Sequence, residues 1–286
     1  MMRLAYINKV VVIGAGTMGQ GIAQVSAMAG YSVLLYDLSE EALQKAIYKI
    51  EGNLDKGILR GKVSDSQKKE ALDNITTTLD KNHLVGDIII EAILEKLDIK
   101  QLLFSHLEAI NSDKAILASN TSSIPITRIA ASLKRPERFV GMHFFNPAHI
   151  MKLVEIISGV ATEEDVVRTV YDLALRLGKQ PVIAADAPGF IVNRVARHFY
   201  VEGLKVLEEK VAFQEGVDRL MESSGFKMGP FRLMDLIGVD SNFLVTKSMF
   251  EAFHYDSKFR PSRIQEQKVD AGHNGRKSGR GFYVYD

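Results

Sequence analysis

The spacing of hydrophobic and polar positions changes near residue 186 of the chain. Before that point, short apolar runs rich in β-branched residues alternate with longer segments of helical spacing. This alternation is typical of an α/β fold in which helices connect the strands of a mainly parallel sheet. The predicted strands are Val10–Ile13, Val33–Tyr36, Ile88–Glu91, Ala115–Ala118, Phe139–His143, Leu153–Ile157 and Val182–Ala184.

The residues after Asp186 follow a different pattern. Apolar positions there keep helical spacing as far as the run Phe282–Tyr285, and Pro188-Gly189 and Gly229-Pro230 mark turns or helix starts. We therefore predict two domains. Residues 1–186 form a Rossmann-like domain with a mainly parallel sheet, and residues 187–286 form a smaller, all-helical domain.

A glycine-rich turn follows the first predicted strand. Gly14-Ala15-Gly16-Thr17-Met18-Gly19 is a G-x-G-x-x-G motif, and the residues after it suit a helix. In this context Gly14 permits the turn, Gly16 lets the backbone approach a pyrophosphate, and Gly19 lets the helix pack on the strand. The N–H groups at the start of the helix are available to phosphate oxygens. The motif therefore predicts a dinucleotide site.

Asp37 ends the second predicted strand, 23 positions after Gly14 and near the acidic position of this fingerprint. A carboxylate there accepts hydrogen bonds from the adenosine ribose hydroxyls and repels a 2′-phosphate. We therefore expect NAD rather than NADP as the cofactor. The alternative is that Asp37 only caps the helix that begins near Glu40.

Two predicted strands carry polar residues where a core strand is expected to be apolar. His143 follows Phe139–Met142, and Glu155 follows Leu153-Val154. If neighbouring strands bring them together, the carboxylate orients the imidazole and raises its basicity, as proton transfer from a substrate hydroxyl requires. The alternative is a structural histidine beside a surface glutamate. Ser122 follows another strand, at the sheet edge where α/β folds bind ligands, and the alternative for it is ordinary turn or helix-capping chemistry.

Composition narrows the chemistry and the partners. The chain has no Cys, which excludes thiolate nucleophiles, disulfides and Cys-ligated metals, and its seven His form no H-E-x-x-H motif. A net charge of +1 provides no overall field for nucleic acid or an anionic membrane. The opening segment, residues 1–6, is too short for a signal peptide, and no run reaches the roughly 20 apolar residues that span a bilayer. We expect a cytoplasmic protein without a metal site.

Further motifs extend over nearly the whole chain in a fixed order. After the glycine turn these are Glu91–Glu95, Ala118–Ser123, Gly141–Pro147, Met151–Glu155, Pro188–Arg194, Met228–Pro230 and Gly279–Tyr283. Together they resemble the motifs of the L-3-hydroxyacyl-CoA dehydrogenase family, in its short bacterial 3-hydroxybutyryl-CoA dehydrogenase form. The resemblance implies a reversible, NAD-linked oxidation of an (S)-3-hydroxyacyl-CoA to the 3-ketoacyl-CoA, and a helical domain that binds substrate and mediates a homodimer.

The resemblance also implies the roles of individual residues. His143 is the general acid/base, Glu155 orients it, and Ser122 and Asn193 position the substrate oxygen and the imidazole. The expected contacts with the dinucleotide are Gly14, Gly16, Thr17, Met18, Gly19, Asp37, Glu95, Lys100, Ser122, Asn146 and Lys277. Two other readings stay open: a dehydrogenase of a free hydroxy acid, as in the L-gulonate dehydrogenase and lambda-crystallin branch, and a non-catalytic NAD(H)-binding protein.

A basic helix face is the last feature of the pattern. Lys45, Lys49, Lys56 and Arg60 share one face of the helix predicted after Glu40. Such a face suits the phosphates of coenzyme A, although solvated faces of this kind are common. The family resemblance implies Lys56 as the first candidate, and Arg60 is the second. His149 departs from the small or apolar residues usual in the family after Asn146-Pro147, and we expect it to face solvent.

Overall fold

The structure is a computed structural model that describes residues 7–286. Residues 1–6, which are predicted to be too short for a signal peptide, lie outside the described residues. The chain divides into two compact units between Ala187 and Pro188. The strands of the first unit are β1 (Lys9–Ile13), β2 (Ser32–Tyr36), β3 (Ile75–Thr78), β4 (Ile88–Glu91), β5 (Ile116–Ser119), β6 (Phe139–Phe144), β7 (Leu153–Ser158) and β8 (Gln180–Ala185). Its helices are α1 (Thr17–Met28), α2 (Glu40–Leu59), α3 (Asp65–Asp73), α4 (Leu97–Ile110), α5 (Ile126–Ala130) and α6 (Glu164–Arg176).

The eight strands form one sheet in the order β3-β2-β1-β4-β5-β6-β7-β8. Every neighbouring pair is parallel except β6 and β7, which are antiparallel. Val10, Val12, Ile88 and Ile90 on the central strands are fully buried in a core that includes residues of α1, α2 and α6. The predicted fold class, a Rossmann-like, mainly parallel sheet followed by a helical domain, is confirmed.

The sequence pattern does not predict one strand of the sheet, β3. β3 reads Ile75-Thr76-Thr77-Thr78 and pairs only with β2, so it forms an edge of the sheet. Two of its threonines are exposed, and none of its residues is fully buried. A short edge strand that is largely exposed buries little apolar surface. Its sequence therefore shows no apolar run and no apolar alternation.

The second unit contains the helices α7 (Val192–Glu208), α8 (Gln214–Ser223), α9 (Pro230–Ile237), α10 (Val239–Ala252) and α11 (Arg263–Asp270). Its core contains Tyr200, Leu204, Phe231, Met234 and Phe282. Among the described residues, no helix of either unit is long and apolar enough to cross a membrane.

The run Phe282–Tyr285 forms no regular strand, and only an isolated bridge joins Val284 to Arg280. A buried carboxylate holds this segment instead. Asp235 accepts hydrogen bonds from the backbone N–H groups of Phe282 and Tyr283, each at 2.9 Å. A terminal segment is thereby fixed by a side chain rather than by a sheet ladder.

The second and third glycines of the motif, Gly16 and Gly19, provide a matched test of the packing between the turn and α1. A Cβ added at Gly19 would lie 1.6 Å from the carbonyl oxygen of Gly14, whereas one added at Gly16 would meet nothing within 4 Å. We expect Gly19→Ala to lower the free energy of unfolding by about 3 kcal/mol through overpacking. We expect Gly16→Ala to lower it by about 1 kcal/mol or less, the usual loss when alanine replaces glycine at an N-cap. Urea denaturation followed by circular dichroism measures both, and equal losses would contradict this account.

Candidate active site

The glycine turn connects the end of β1 to the start of α1. Gly14 has a φ of 101°, and a Cβ at this position would lie 2.6 Å from the carbonyl oxygen of Ala92, so only glycine fits. Gly16 is the N-cap of α1, and the first turn of the helix, with Thr17 and Met18, contains no acidic residue. The partial positive charge of this helix end is therefore available to an anion.

Asp37 is bound to the turn rather than to the following helix. Its Oδ2 accepts a hydrogen bond from the N–H of Ala15 at 2.8 Å, and its Oδ1 accepts one from Ser39 at 3.1 Å. The cap of α2 is Ser39, whose hydroxyl accepts from the N–H of Ala42. Helix capping, the alternative role for Asp37, is therefore performed by another residue.

These residues line a cleft of about 570 Å³ in the first unit. Gly14, Gly16 and Asp37 form its polar part. Apolar side chains complete the wall, namely Leu38, Ile93, Leu94, Ile99 and Leu103. This lining fits a flat heteroaromatic ring between its apolar walls, a ribose at the carboxylate and a pyrophosphate at the glycine turn. The residues present therefore suit NAD.

Lys100 lies at the centre of a buried ionic network behind the loop that follows β5. Its Nζ is 2.5 Å from Oε1 of Glu91 and 3.2 Å from Oε2 of Glu95, and its side chain is 1% exposed. Ser119 at the end of β5 donates to the other oxygen of Glu91 at 2.6 Å. Two carboxylates thus balance a charge that would otherwise be costly to bury, and the hydroxyl of Ser119 satisfies the second oxygen of Glu91.

Glu95 holds the loop that carries Ser122. Its Oε1 accepts hydrogen bonds from the hydroxyl of Thr121, from the N–H of Ser122 at 3.0 Å and from the hydroxyl of Ser123 at 3.1 Å. Burial opposes ionisation of this carboxyl, but the charge of Lys100 and these hydrogen bonds outweigh it and lower the pKa of Glu95. The structure thus shows Glu95 and Lys100 organising the loop, and their contact with a dinucleotide stays a prediction.

His143 and Glu155 face each other across the antiparallel pair of β6 and β7. Nδ1 of His143 is 2.7 Å from Oε2 of Glu155, and the side chains are 7% and 1% exposed. Because a carboxylate only accepts, Nδ1 carries the proton and the basic lone pair lies on Nε2. The ring of Phe145 packs 4.5 Å from the imidazole, measured between centroids. The strand pattern predicted this contact, and its catalytic role stays a prediction.

The loop between β6 and β7 is held by a lysine that the sequence pattern did not single out. Lys179 is 6% exposed, and its ammonium donates to the carbonyl oxygens of Ala148 at 2.5 Å and Met151 at 3.0 Å. Burial lowers the pKa of Lys179 to about 8. Asn146 lies exposed on the same loop. A lysine that binds backbone carbonyls 28 and 31 residues away leaves no spacing signal.

His149 lies on this loop and differs from the expectation. It is half-buried rather than facing solvent. Burial lowers its pKa, and the nearby charges of Lys179 and Lys56 lower it further. The backbone at His149 packs closely against α1, because a Cβ added at Gly21 of that helix would lie 3.4 Å from the backbone nitrogen of His149. Lys56 of the basic face therefore lies near the loop that connects His143 to Glu155.

The remaining predicted residues are placed as follows. Lys56 and Arg60 are exposed at the C-terminal end of α2, which continues through its glycines to Leu59. Asn193 is in the first turn of α7, in the second unit. Lys277 forms an ion pair with Asp240 at 2.7 Å in the same unit, so its predicted contact with the dinucleotide competes with a carboxylate. No group that could hold a metal ion occurs among residues 7–286.

Comparison with known proteins identifies the class of this site. Residues 9–187 match the model of the 3-hydroxyacyl-CoA dehydrogenase NAD binding domain, and residues 189–285 match that of the C-terminal domain. The chain is 48% identical to the 3-hydroxyadipyl-CoA dehydrogenase of Escherichia coli, over 97% of this chain and 59% of that protein, so it spans only part of that relative. It is 41% identical to the 3-hydroxybutyryl-CoA dehydrogenase of Bradyrhizobium diazoefficiens, over 98% of this chain and 96% of that protein.

A solved structure agrees with these relatives. The (S)-3-hydroxybutyryl-CoA dehydrogenase of Ralstonia eutropha has a TM-score of 0.94 and 40% identity, and the match covers 98% of this chain and 99% of that one. Together with the two family models, this similarity includes both the glycine turn and the strands that carry His143 and Glu155. The chain belongs to the 3-hydroxyacyl-CoA dehydrogenase family, and its residues 9–187 match the NAD binding domain of that family.

Proposed function

We propose that this chain interconverts an (S)-3-hydroxyacyl-CoA and the corresponding 3-ketoacyl-CoA, with 3-hydroxybutyryl-CoA and acetoacetyl-CoA as the expected pair. The observation that carries the proposal is the buried hydrogen bond between Nδ1 of His143 and Glu155 in a chain that also has an NAD-binding domain. A module that only binds NAD(H) needs the glycine turn and Asp37, but not this pair. A second candidate substrate is 3-hydroxyadipyl-CoA, after the name of the 48% identical relative.

His143 manages the proton of the reaction. In the oxidation, Nε2 accepts the proton of the C3 hydroxyl, and Glu155 stabilises the imidazolium that forms. The hydride acceptor for C3 would be supplied by NAD, held at the glycine turn and Asp37. In the reduction, the imidazolium returns the proton to the oxygen at C3, so one residue serves both directions. We propose that Ser122 and Asn193 position that oxygen and the imidazole.

Replacing His143 tests the acid/base role. We expect His143→Ala to lower kcat for the reduction of acetoacetyl-CoA by a factor of about 10² to 10⁴, because this is the usual contribution of a positioned acid/base. The KM for NADH should stay within about twofold of that of the unmodified enzyme, since the glycine turn is untouched. The measurement is NADH oxidation at 340 nm, and full activity of the variant would contradict the proposal.

A conservative variant separates orientation from packing. Glu155→Gln keeps the shape of the side chain but removes the charge that stabilises the imidazolium, so kcat should fall by about tenfold or more. The KM for NADH should stay within about twofold of that of the unmodified enzyme, because the glycine turn is untouched. An unchanged kcat would show that Glu155 is only structural.

The basic face of α2 is proposed to bind coenzyme A. Lys56 and Arg60 are the candidates, and the proposal is supported by the charge of Lys56, which contributes to the lowered pKa of His149 on the loop between β6 and β7. We expect Lys56→Ala to raise the KM for acetoacetyl-CoA about three- to tenfold with little change in kcat, because a charged contact with a phosphate acts in the ground and transition states alike. Lys45→Ala is the matched control, because Lys45 is exposed on the same helix about 16 Å from Lys56. An unchanged KM in Lys56→Ala would exclude this role.

We also propose that the helical unit mediates a homodimer. It has an apolar cleft of about 500 Å³ lined mainly by residues of α7 and α8, one of which is Leu220. Leu220 and Phe213, the N-cap residue of α8, are 64% and 80% exposed. Exposed apolar surface of this kind is typical of protein interfaces. We expect Leu220→Asp to convert a dimer of about 64 kDa, twice the 31.8 kDa chain, into a monomer on size-exclusion chromatography with light scattering. A monomeric unmodified chain would contradict this proposal.

A further inference from the structure

Arg197 is the largest of the fully buried side chains and lies in the helical unit, on α7. Its Nη1 donates hydrogen bonds to the carbonyl oxygen of Asn242 at 3.0 Å, to Oδ1 of Asn242 at 3.2 Å and to the hydroxyl of Thr246 at 2.9 Å. All of these bonds come from one nitrogen. In the described part of the chain, Nε of Arg197 is buried and has no hydrogen-bond partner.

The surroundings of this guanidinium are neutral. Asn242 also accepts a hydrogen bond from Gln265 at 2.9 Å, and the ring of Tyr200 lies 5.2 Å from the guanidinium carbon. Between residues 7 and 286, no carboxylate lies within ion-pair distance of Arg197. Burial lowers the pKa of Arg197 to about 10, so the group stays charged at neutral pH.

A buried cation without a counter-charge requires an explanation. Joining α7 to α10 does not need a charge, because apolar residues in place of buried ionic groups are often neutral or stabilising. A guanidinium has five donors arranged to bind a carboxylate through two parallel hydrogen bonds. The charge and the unused donors of Arg197 therefore point to an anion that is not part of this chain.

The position of Arg197 limits which anion that is. Arg197 follows Asn193 by four residues, so both lie on one face of α7, about 6 Å apart along the helix axis. Asn193 is the residue proposed to position the oxygen at C3 of the substrate. In a six-carbon acyl group, C6 lies three C–C bonds beyond C3, which is about 4 Å, and a charge-assisted hydrogen bond adds about 2.8 Å.

From this juxtaposition we propose that Arg197 is a specificity residue that binds a carboxylate at the far end of the acyl group. The preferred substrates are then CoA thioesters of 3-hydroxy dicarboxylic acids of about six carbons. This inference favours 3-hydroxyadipyl-CoA, the second candidate substrate above, over 3-hydroxybutyryl-CoA. The inference rests on the proposed function and assigns its acyl specificity. Asn242 and Thr246 hold the guanidinium in place, and the substrate supplies the missing charge.

The test compares two substrates of equal chain length. We expect kcat/KM for 3-hydroxyadipyl-CoA to exceed that for 3-hydroxyhexanoyl-CoA by tenfold or more in the unmodified enzyme, because only the former has the terminal carboxylate. Arg197→Met should bring the ratio close to one while kcat/KM for 3-hydroxyhexanoyl-CoA stays within about twofold. Arg197→Lys should keep part of the preference. No preference in the unmodified enzyme, or equal losses for both substrates in Arg197→Met, would overturn the assignment.

A binding measurement keeps the test independent of turnover and of the folding of the variant. Adipyl-CoA and hexanoyl-CoA lack the reacting hydroxyl, and calorimetry gives their dissociation constants for the unmodified chain. We expect adipyl-CoA to bind at least tenfold more tightly, and equal affinities would overturn the assignment even if Arg197→Met does not fold. If adipyl-CoA binds more tightly but neither hydroxyacyl-CoA is oxidised, the carboxylate site stands and the proposed catalysis fails.

Discussion

The register of β6 and β7 is the constraint on which the site depends. These strands form the one antiparallel pair of the described sheet, and this pairing sets His143 directly opposite Glu155. Because side chains alternate between the two faces of a sheet, a slip by one residue would turn the carboxylate away from the imidazole. The loop between the strands, held by Lys179 through two backbone carbonyls, and the parallel pairing of β7 with β8 both maintain this register.

Other buried charged groups of the first unit are also held by specific partners. Lys100 is placed between Glu91 at the end of β4 and Glu95, and Glu95 in turn binds the backbone and hydroxyl groups of the loop after β5. The cost of burying these groups is offset because each has a partner of opposite charge or a hydrogen-bond donor. The result is a rigid sheet edge beside the glycine turn, which suits a site that must hold a dinucleotide and a substrate in one geometry.

The helical unit shows the same use of buried carboxylates, with one contrast. Asp218 accepts from two N–H groups at the start of α9, and Asp235 accepts from two at the C-terminal segment. Arg197 has no such partner of opposite charge among the described residues. A buried guanidinium without a carboxylate partner adds no stability that an apolar side chain would not, which favours a ligand as the partner of Arg197.

Much of the first unit follows from the sequence alone. The buried strands are continuous apolar runs, the glycine turn has few conformations available to it, and Asp37 follows a strand at a set distance from that turn. These features are local, or they repeat with the period of the secondary structure. The sequence also indicated the pairing of His143 with Glu155, because polar residues in core strands need a partner.

Tertiary structure decided the rest, because contacts between distant residues leave no period in the sequence. β3 lacks an apolar pattern, since it is an edge strand, and the run Phe282–Tyr285 is held by Asp235 rather than by a sheet. Nothing in the spacing of Lys179 or Arg197 reveals their burial, because their partners lie on other segments. The sequence by itself determined the fold class, the dinucleotide turn and the pairing of His143 with Glu155. Folding decided which buried charges have a partner and that Arg197 has no carboxylate beside it among the described residues, because that balance depends on distances in three dimensions.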